Sequence, residues 1–110
     1  MASARILGLR TSTEGDLQRV IIDLDTAIDF KKYAIPEQRM VYVSLRNARF
    51  DRAMNTEPVQ VSSGYLTGIR MGQYKPKIAR VVLDGVESSK VSVAAERNPD
   101  RIVITVKGGT

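Results

Sequence analysis

Arginine and aspartate recur along this chain at intervals that could do chemistry. Arg19 and Asp23 stand four residues apart, and so do Arg80 and Asp84. In an extended strand an even spacing puts both members of a pair on one face. A guanidinium beside a carboxylate can close an ion pair that holds strand register, a surface contribution of about 0–1 kcal/mol. It can also offer a planar fork to the carboxylate or phosphate of a polymer. Arg10 and Arg70 precede these pairs on what reads as the neighbouring strand of a hairpin. With Arg10 opposite Arg19, Ile6 falls opposite Asp23, and the two arginines repel unless a carboxylate or an anionic ligand lies between them.

Other chemistries have fewer residues to work with. The chain has no histidine and no cysteine. The commonest general base, the commonest metal ligand and the usual partner of a nucleophilic serine are therefore missing, as is any thiolate site or disulfide. Ser-Lys and paired-carboxylate catalysis remain open in principle, but no catalytic residue, metal ligand or cofactor is expected. No glycine-rich phosphate loop or ribonucleoprotein aromatic motif occurs, so nucleic acid is not an expected partner. The aromatic residues are Phe30, Tyr33, Tyr42, Phe50, Tyr65 and Tyr74. Tyr74, near a hairpin tip, is placed either to stack on a sugar or a base or to lie over its own hairpin.

The elements that carry these residues come in two copies. Ile6-Leu7-Gly8-Leu9-Arg10 is matched by Leu66-Thr67-Gly68-Ile69-Arg70, and Arg19-Val20-Ile21-Ile22-Asp23-Leu24 by Arg80-Val81-Val82-Leu83-Asp84-Gly85. Arg39-Met40-Val41-Tyr42-Val43 is matched by Arg101-Ile102-Val103-Ile104-Thr105. The separations are 60, 61 and 62 positions, each slip falling in an expected loop. Period-two alternation and β-branched residues make each block a strand. Turns are expected at 11–18 and 72–77, third strands near 29–34 and 90–96, and fourth strands after the prolines at 36 and 99. Segment 48–55 reads as one helical turn in the linker, closed by Pro58. The expected fold is all-β, a pseudo-symmetric β-sandwich of two four-stranded sheets built from the internal repeat, each copy forming one unit and the two sharing a core.

At 110 residues and 43% hydrophobic content the chain suits one globular domain. No apolar run approaches the roughly 18–20 residues of a membrane span, so it is not expected to insert into a membrane. The opening Met1-Ala2-Ser3-Ala4-Arg5 lacks the apolar stretch of a secretory signal and reads as an expression start. An upstream export signal in the native protein stays compatible with that. A formal charge of +5 favours anionic partners, such as nucleic acid, lipid headgroups or an acidic wall polymer.

The order Leu66-Thr67-Gly68-Ile69-Arg70, then Arg80-Val81-Val82-Leu83-Asp84, then Pro99-Asp100-Arg101-Ile102-Val103-Ile104 resembles the AMIN domain, with Gly64-Tyr65 opening the most typical block. That domain is found in periplasmic N-acetylmuramoyl-L-alanine amidases and type IV pilus secretins. The resemblance covers 4–107, with repeat halves of about 4–47 and 64–107. It implies a periplasmic, non-catalytic module that binds peptidoglycan and localises its host, often to the septum. Envelope or divisome proteins are further expected partners, and the alternative role is protein docking in a secretin or other envelope assembly. Carried over motif by motif, the implied ligand-binding residues are Arg10, Arg19, Asp23, Arg39, Arg70, Arg80, Asp84 and Arg101. Ser44 stands where the family commonly has Asp, and Gly85 where it has an aliphatic residue. One face is therefore expected to bind better than the other.

Overall fold

Leu17–Leu24 shows how the strands arise. Gln18, Val20, Ile22 and Leu24 are buried, whereas Leu17, Arg19, Ile21 and Asp23 face outward. Ile78–Asp84 repeats the pattern, with Ala79, Val81 and Leu83 inside and Arg80, Val82 and Asp84 outside. In the computed structural model, which describes residues 3–61 and 66–108, such alternating strands form two five-stranded sheets. Met1, Ala2, Gly64 and Tyr65, read above from sequence, lie outside the described residues.

In chain order the strands are β1 (Ala4–Glu14), β2 (Leu17–Leu24), β3 (Phe30–Ile35), β4 (Met40–Arg46), β5 (Ala48–Phe50), β6 (Val59–Gln60), β7 (Gly68–Lys75), β8 (Ile78–Asp84), β9 (Val91–Glu96) and β10 (Arg101–Lys107). The first sheet runs β5-β1-β2-β10-β9 and the second β3-β4-β8-β7-β6. Two expectations are thereby corrected. Each sheet has five strands, not four, because the linker contributes β5, parallel to β1, and β6, antiparallel to β7. The residues 48–50 read as part of a helical turn are strand, closed onto β1 by Ala4 N–H donating to Asn47 O at 2.8 Å. Nor does either sheet come from one half of the chain. The hairpin β1–β2 shares a sheet with β9 and β10, while β7–β8 shares one with β3 and β4.

Exchanging strands this way lets both halves line a single core. Ile6, Val20, Ile22, Ile102 and Ile104 of the first sheet meet Val41, Val43, Leu45, Ile69, Val81 and Leu83 of the second, none more than 1% exposed. Burial of each such side chain stabilises by about 1.5–3 kcal/mol before the entropy of ordering is counted. Lys32 and Gln73 tie one sheet to the other. Lys32 Nζ donates to Ser88 O at 3.1 Å and Val91 O at 2.7 Å. Gln73 Nε2 donates to Ala48 O at 3.0 Å, and Gln73 Oε1 accepts from Phe50 N–H at 3.3 Å.

Candidate functional site

The outer face of each sheet carries an arginine–aspartate clamp. In the first sheet Arg10 Nε donates to Asp23 Oδ2 at 2.9 Å and Arg10 Nη2 to Oδ1 at 3.1 Å. In the second, Arg70 Nε donates to Asp84 Oδ2 at 2.7 Å and Nη2 to Oδ1 at 2.9 Å. Both clamps are bidentate and lie at matching places in the ladders. Gly8 stands opposite Asp23 and Gly68 opposite Asp84.

Arg10 does not face Arg19, contrary to expectation. It stands opposite Ile21, and Arg19 stands opposite Ser12. The hairpin closes through only Gly15 and Asp16, with Gly15 at φ 61°, so the fold point falls later than a turn centred on Glu14-Gly15-Asp16 would place it. That shift brings Arg10 diagonally onto Asp23 and carries the two arginines apart.

Beyond the clamps the faces diverge. Asp23 lies directly opposite Arg101 on β10, and Arg101 lies opposite Glu96 on β9, to whose Oε1 its Nε donates at 2.6 Å. Charge therefore alternates across four strands. The hydrogen bonds from Arg10 hold the Asp23 carboxyl below the usual carboxylate range; partial burial opposes this, and the charges of Arg10 and Arg101 reinforce it. The same bonds raise the Arg10 guanidinium. Arg19 is also answered, by Glu14 at 3.3 Å. In the second sheet, hydrogen bonding to Asp84 raises Arg70, but Met40 takes the place across from Asp84, with Ile35 beyond it.

Two rungs further along the same face of the second sheet, past Val82, Tyr42 and Tyr33, Arg80 faces Ser44, and Ser44 faces Lys31. Among the described residues no carboxylate answers Arg80. Its guanidinium carbon sits 3.5 Å from the Tyr74 ring centroid and 4.9 Å from that of Tyr42. Tyr42 stacks in turn on Tyr33, directly opposite on β3, with centroids 4.9 Å apart and planes inclined by 17°. The Nε of Arg80 is buried without a hydrogen-bond partner. Lys31, Tyr33, Ser44, Arg46, Tyr74 and Arg80 line a cleft of about 370 Å³ on this face, within the ordinary range of small-ligand sites, about 300–1,000 Å³. Among the described residues Lys31, Arg46 and Arg80 form no ion pair with a carboxylate.

The eight residues expected from sequence are thus divided. Arg10, Arg19, Asp23 and Arg101 lie on the outer face of the first sheet, and Arg70, Arg80 and Asp84 on that of the second. The sandwich separates the two sets, so they form no single site. Arg39 is on neither face. It ends the short 3-10 turn Pro36–Gln38 at φ 51°, and its carbonyl accepts from the N–H groups of Gly85 and Val86 at 2.8 and 3.0 Å. Its guanidinium lies 3.8 Å from Glu87. The residue that matches Arg101 in the ladder is Met40, one position on.

Lys31, Tyr33, Tyr42 and Arg46 were absent from the expected set. Alternation in Met40–Arg46 was enough to turn Tyr42 outward, but the pairing of Tyr33 with Tyr42 depends on the turn after Ile35. Among the described residues no group of three or more Asp or Glu gathers to hold a metal ion, and no helix is long and apolar enough to cross a membrane. The family model for the AMIN domain matches residues 8–106. No curated protein matches the chain.

Proposed function

The chain belongs to the AMIN domain family, and from that premise we propose that it is a peptidoglycan-binding module that localises its host protein in the periplasm. Domains of this family are non-catalytic targeting modules. The observation that carries the proposal is the set of unanswered cations, Lys31, Arg46 and Arg80, around one cleft of the second sheet. Peptidoglycan carries carboxylates, and cations that no carboxylate of the described residues pairs with are available to meet them. The clamps Arg10–Asp23 and Arg70–Asp84 serve the module differently. Their guanidinium forks are already filled, so they hold register and leave binding to neighbouring residues.

On this reading the domain spans 4–107 as a pseudo-symmetric pair of halves, about 4–47 and 64–107. The matching clamps support that description, as does the correspondence of β1-β2-β10-β9 with β7-β8-β4-β3. The host is an envelope protein such as an amidase. A docking role in a secretin is the second reading, favoured by one feature. Strands β3 and β9 each end a sheet with one edge unpaired by any strand among the described residues, a form open to strand addition by a partner.

Co-sedimentation with purified sacculi tests the proposal. The chain is expected to pellet with sacculi at low salt and to be released as ionic strength rises. Failure to pellet at low salt, while a known wall-binding control is retained, overturns it. Crosslinking to an envelope protein without sacculus binding would move the assignment to the docking role.

A further inference from the structure

We infer that the cleft of the second sheet takes a carboxylated amino sugar of the glycan strand, a muramyl unit whose lactyl carboxylate bears no peptide; this rests on the peptidoglycan reading above. The cleft joins two kinds of recognition within about 370 Å³. Tyr33 and Tyr74 are exposed residues, at 38% and 52%. Tyr33 stacks on Tyr42 with Lys31 Nζ 5.3 Å from its centroid, and Tyr74 carries Arg80 at 3.5 Å and Lys75 Nζ at 5.5 Å. It is therefore their remaining edges and uncovered ring surface that face the cleft. The ring of a tyrosine is an apolar platform with a polar rim, suited to the C–H face of a pyranose. Beside them Arg80 makes no side-chain hydrogen bond among the described residues and is held flat by Tyr74 and Tyr42. With Nε buried, the Nη groups are the donors that Arg80 can turn toward a carboxylate in the cleft. Lys31 and Arg46 add positive charge at the rim.

A cleft of this size admits about one sugar unit. A single residue of the polymer that carries both a ring and an anion matches what the cleft offers. A stem peptide supplies carboxylates but no pyranose face for the tyrosines. An unmodified neutral sugar supplies the face and hydroxyl acceptors but no negative charge to meet Arg80, and charge-assisted contacts are the stronger ones. A peptide-free muramyl unit supplies both.

The first sheet has a comparable hollow of about 230 Å³, lined by Arg19, Ser92, Glu96 and Arg101. It has no aromatic ring, and Glu96 already occupies Arg101 at 2.6 Å. An added anion there would have to displace a carboxylate. The inference accordingly assigns the ligand to one face only.

The test is an NMR titration of the 110-residue chain with peptide-free glycan chains, and in parallel with soluble stem pentapeptide. Saturable shifts are expected at Tyr33, Tyr42, Tyr74 and Arg80 with the glycan, with little response to the peptide. Tyr42→Ala and Arg80→Gln should each weaken glycan binding about tenfold, the scale of one lost cation–π or charge-assisted contact. The wild-type titration needs no variant to fold, so it decides the matter if Tyr42→Ala is unstable. Equal binding of the pentapeptide, shifts at Arg10, Asp23 and Arg101 in place of the tyrosines, or wild-type affinity in both variants overturns the inference. If sacculi still retain the wild-type chain, the functional reading survives those results. Loss of sacculus retention by the wild type overturns both.

Discussion

On the outer face of the first sheet the three arginines of β1, β2 and β10 nearest the clamp each have a carboxylate, and only Arg49, out on the edge strand β5, has none among the described residues. Arg10 grips Asp23, Arg101 binds Glu96 from the place across from Asp23, and Arg19 reaches Glu14. The second sheet begins alike, with Arg70 on Asp84, and then departs from the pattern. Met40 and Ile35 end the charged row, Ser44 leaves Arg80 unanswered, and tyrosines occupy the places that Val103 and Ala94 hold in the first sheet. A face whose charges satisfy one another presents little to a ligand. A face that leaves cations over and backs them with aromatic rings has something to bind with.

The comparison presumes that both faces stand on one core, and the largest expected effect tests that. Ile22→Ala in the first sheet and Leu83→Ala in the second, both fully buried, should each cost about 2–5 kcal/mol in denaturant unfolding. A large loss from one and almost none from the other would mean that the sheets do not share a cooperative core.

Gly85, just past the second clamp, comes next. Its φ is +77°, and a Cβ there would lie 2.7 Å from Thr67 Oγ1. Gly85→Ala is expected to cost about 1–3 kcal/mol. Gly72→Ala, with nothing within 4 Å of its Cβ, should stay within about 0.5 kcal/mol. Equal effects from the two glycines would remove the backbone argument.

Ser44→Asp would give Arg80 a carboxylate from the strand opposite, as Glu14 gives Arg19 one from its own hairpin while Thr105 stands across from it. Sacculus binding should fall several-fold. Unchanged binding would show that Arg80 need not be free.

The smallest effect concerns the clamp of the first sheet. The Asp23 carboxyl is lowered in the folded chain, so its stabilisation is present above the unfolded value of about 3.9 and is lost as pH falls through the folded value. Wild type should therefore exceed Asp23→Asn in stability near neutrality, with the gap closing in acid below about pH 4. A gap that widened on acidification would contradict the clamp.

Much of this was legible in the chain itself. Alternation along residues 17–24 and 78–84 set the strands and sent Arg19, Asp23, Arg80 and Asp84 outward, because a pleated strand turns successive side chains to opposite faces. The order of blocks identified the family. Local pattern did not determine which strands share a sheet. Pairing β2 with β10 and β4 with β8 is a long-range choice, settled by which assembly buries both sets of valines, leucines and isoleucines at once. The short β5 and β6 gave no periodic signal, since a strand of two or three residues exists only through its neighbours. Register likewise belonged to the tertiary structure. A two-residue turn at Gly15-Asp16 moved Arg10 from Arg19 onto Asp23, and the turn ending at Arg39 put Met40 where the repeat suggested an arginine. The arginine–aspartate pattern thus announced two surfaces, and the ladder decided that one neutralises itself while the other keeps charge to spare.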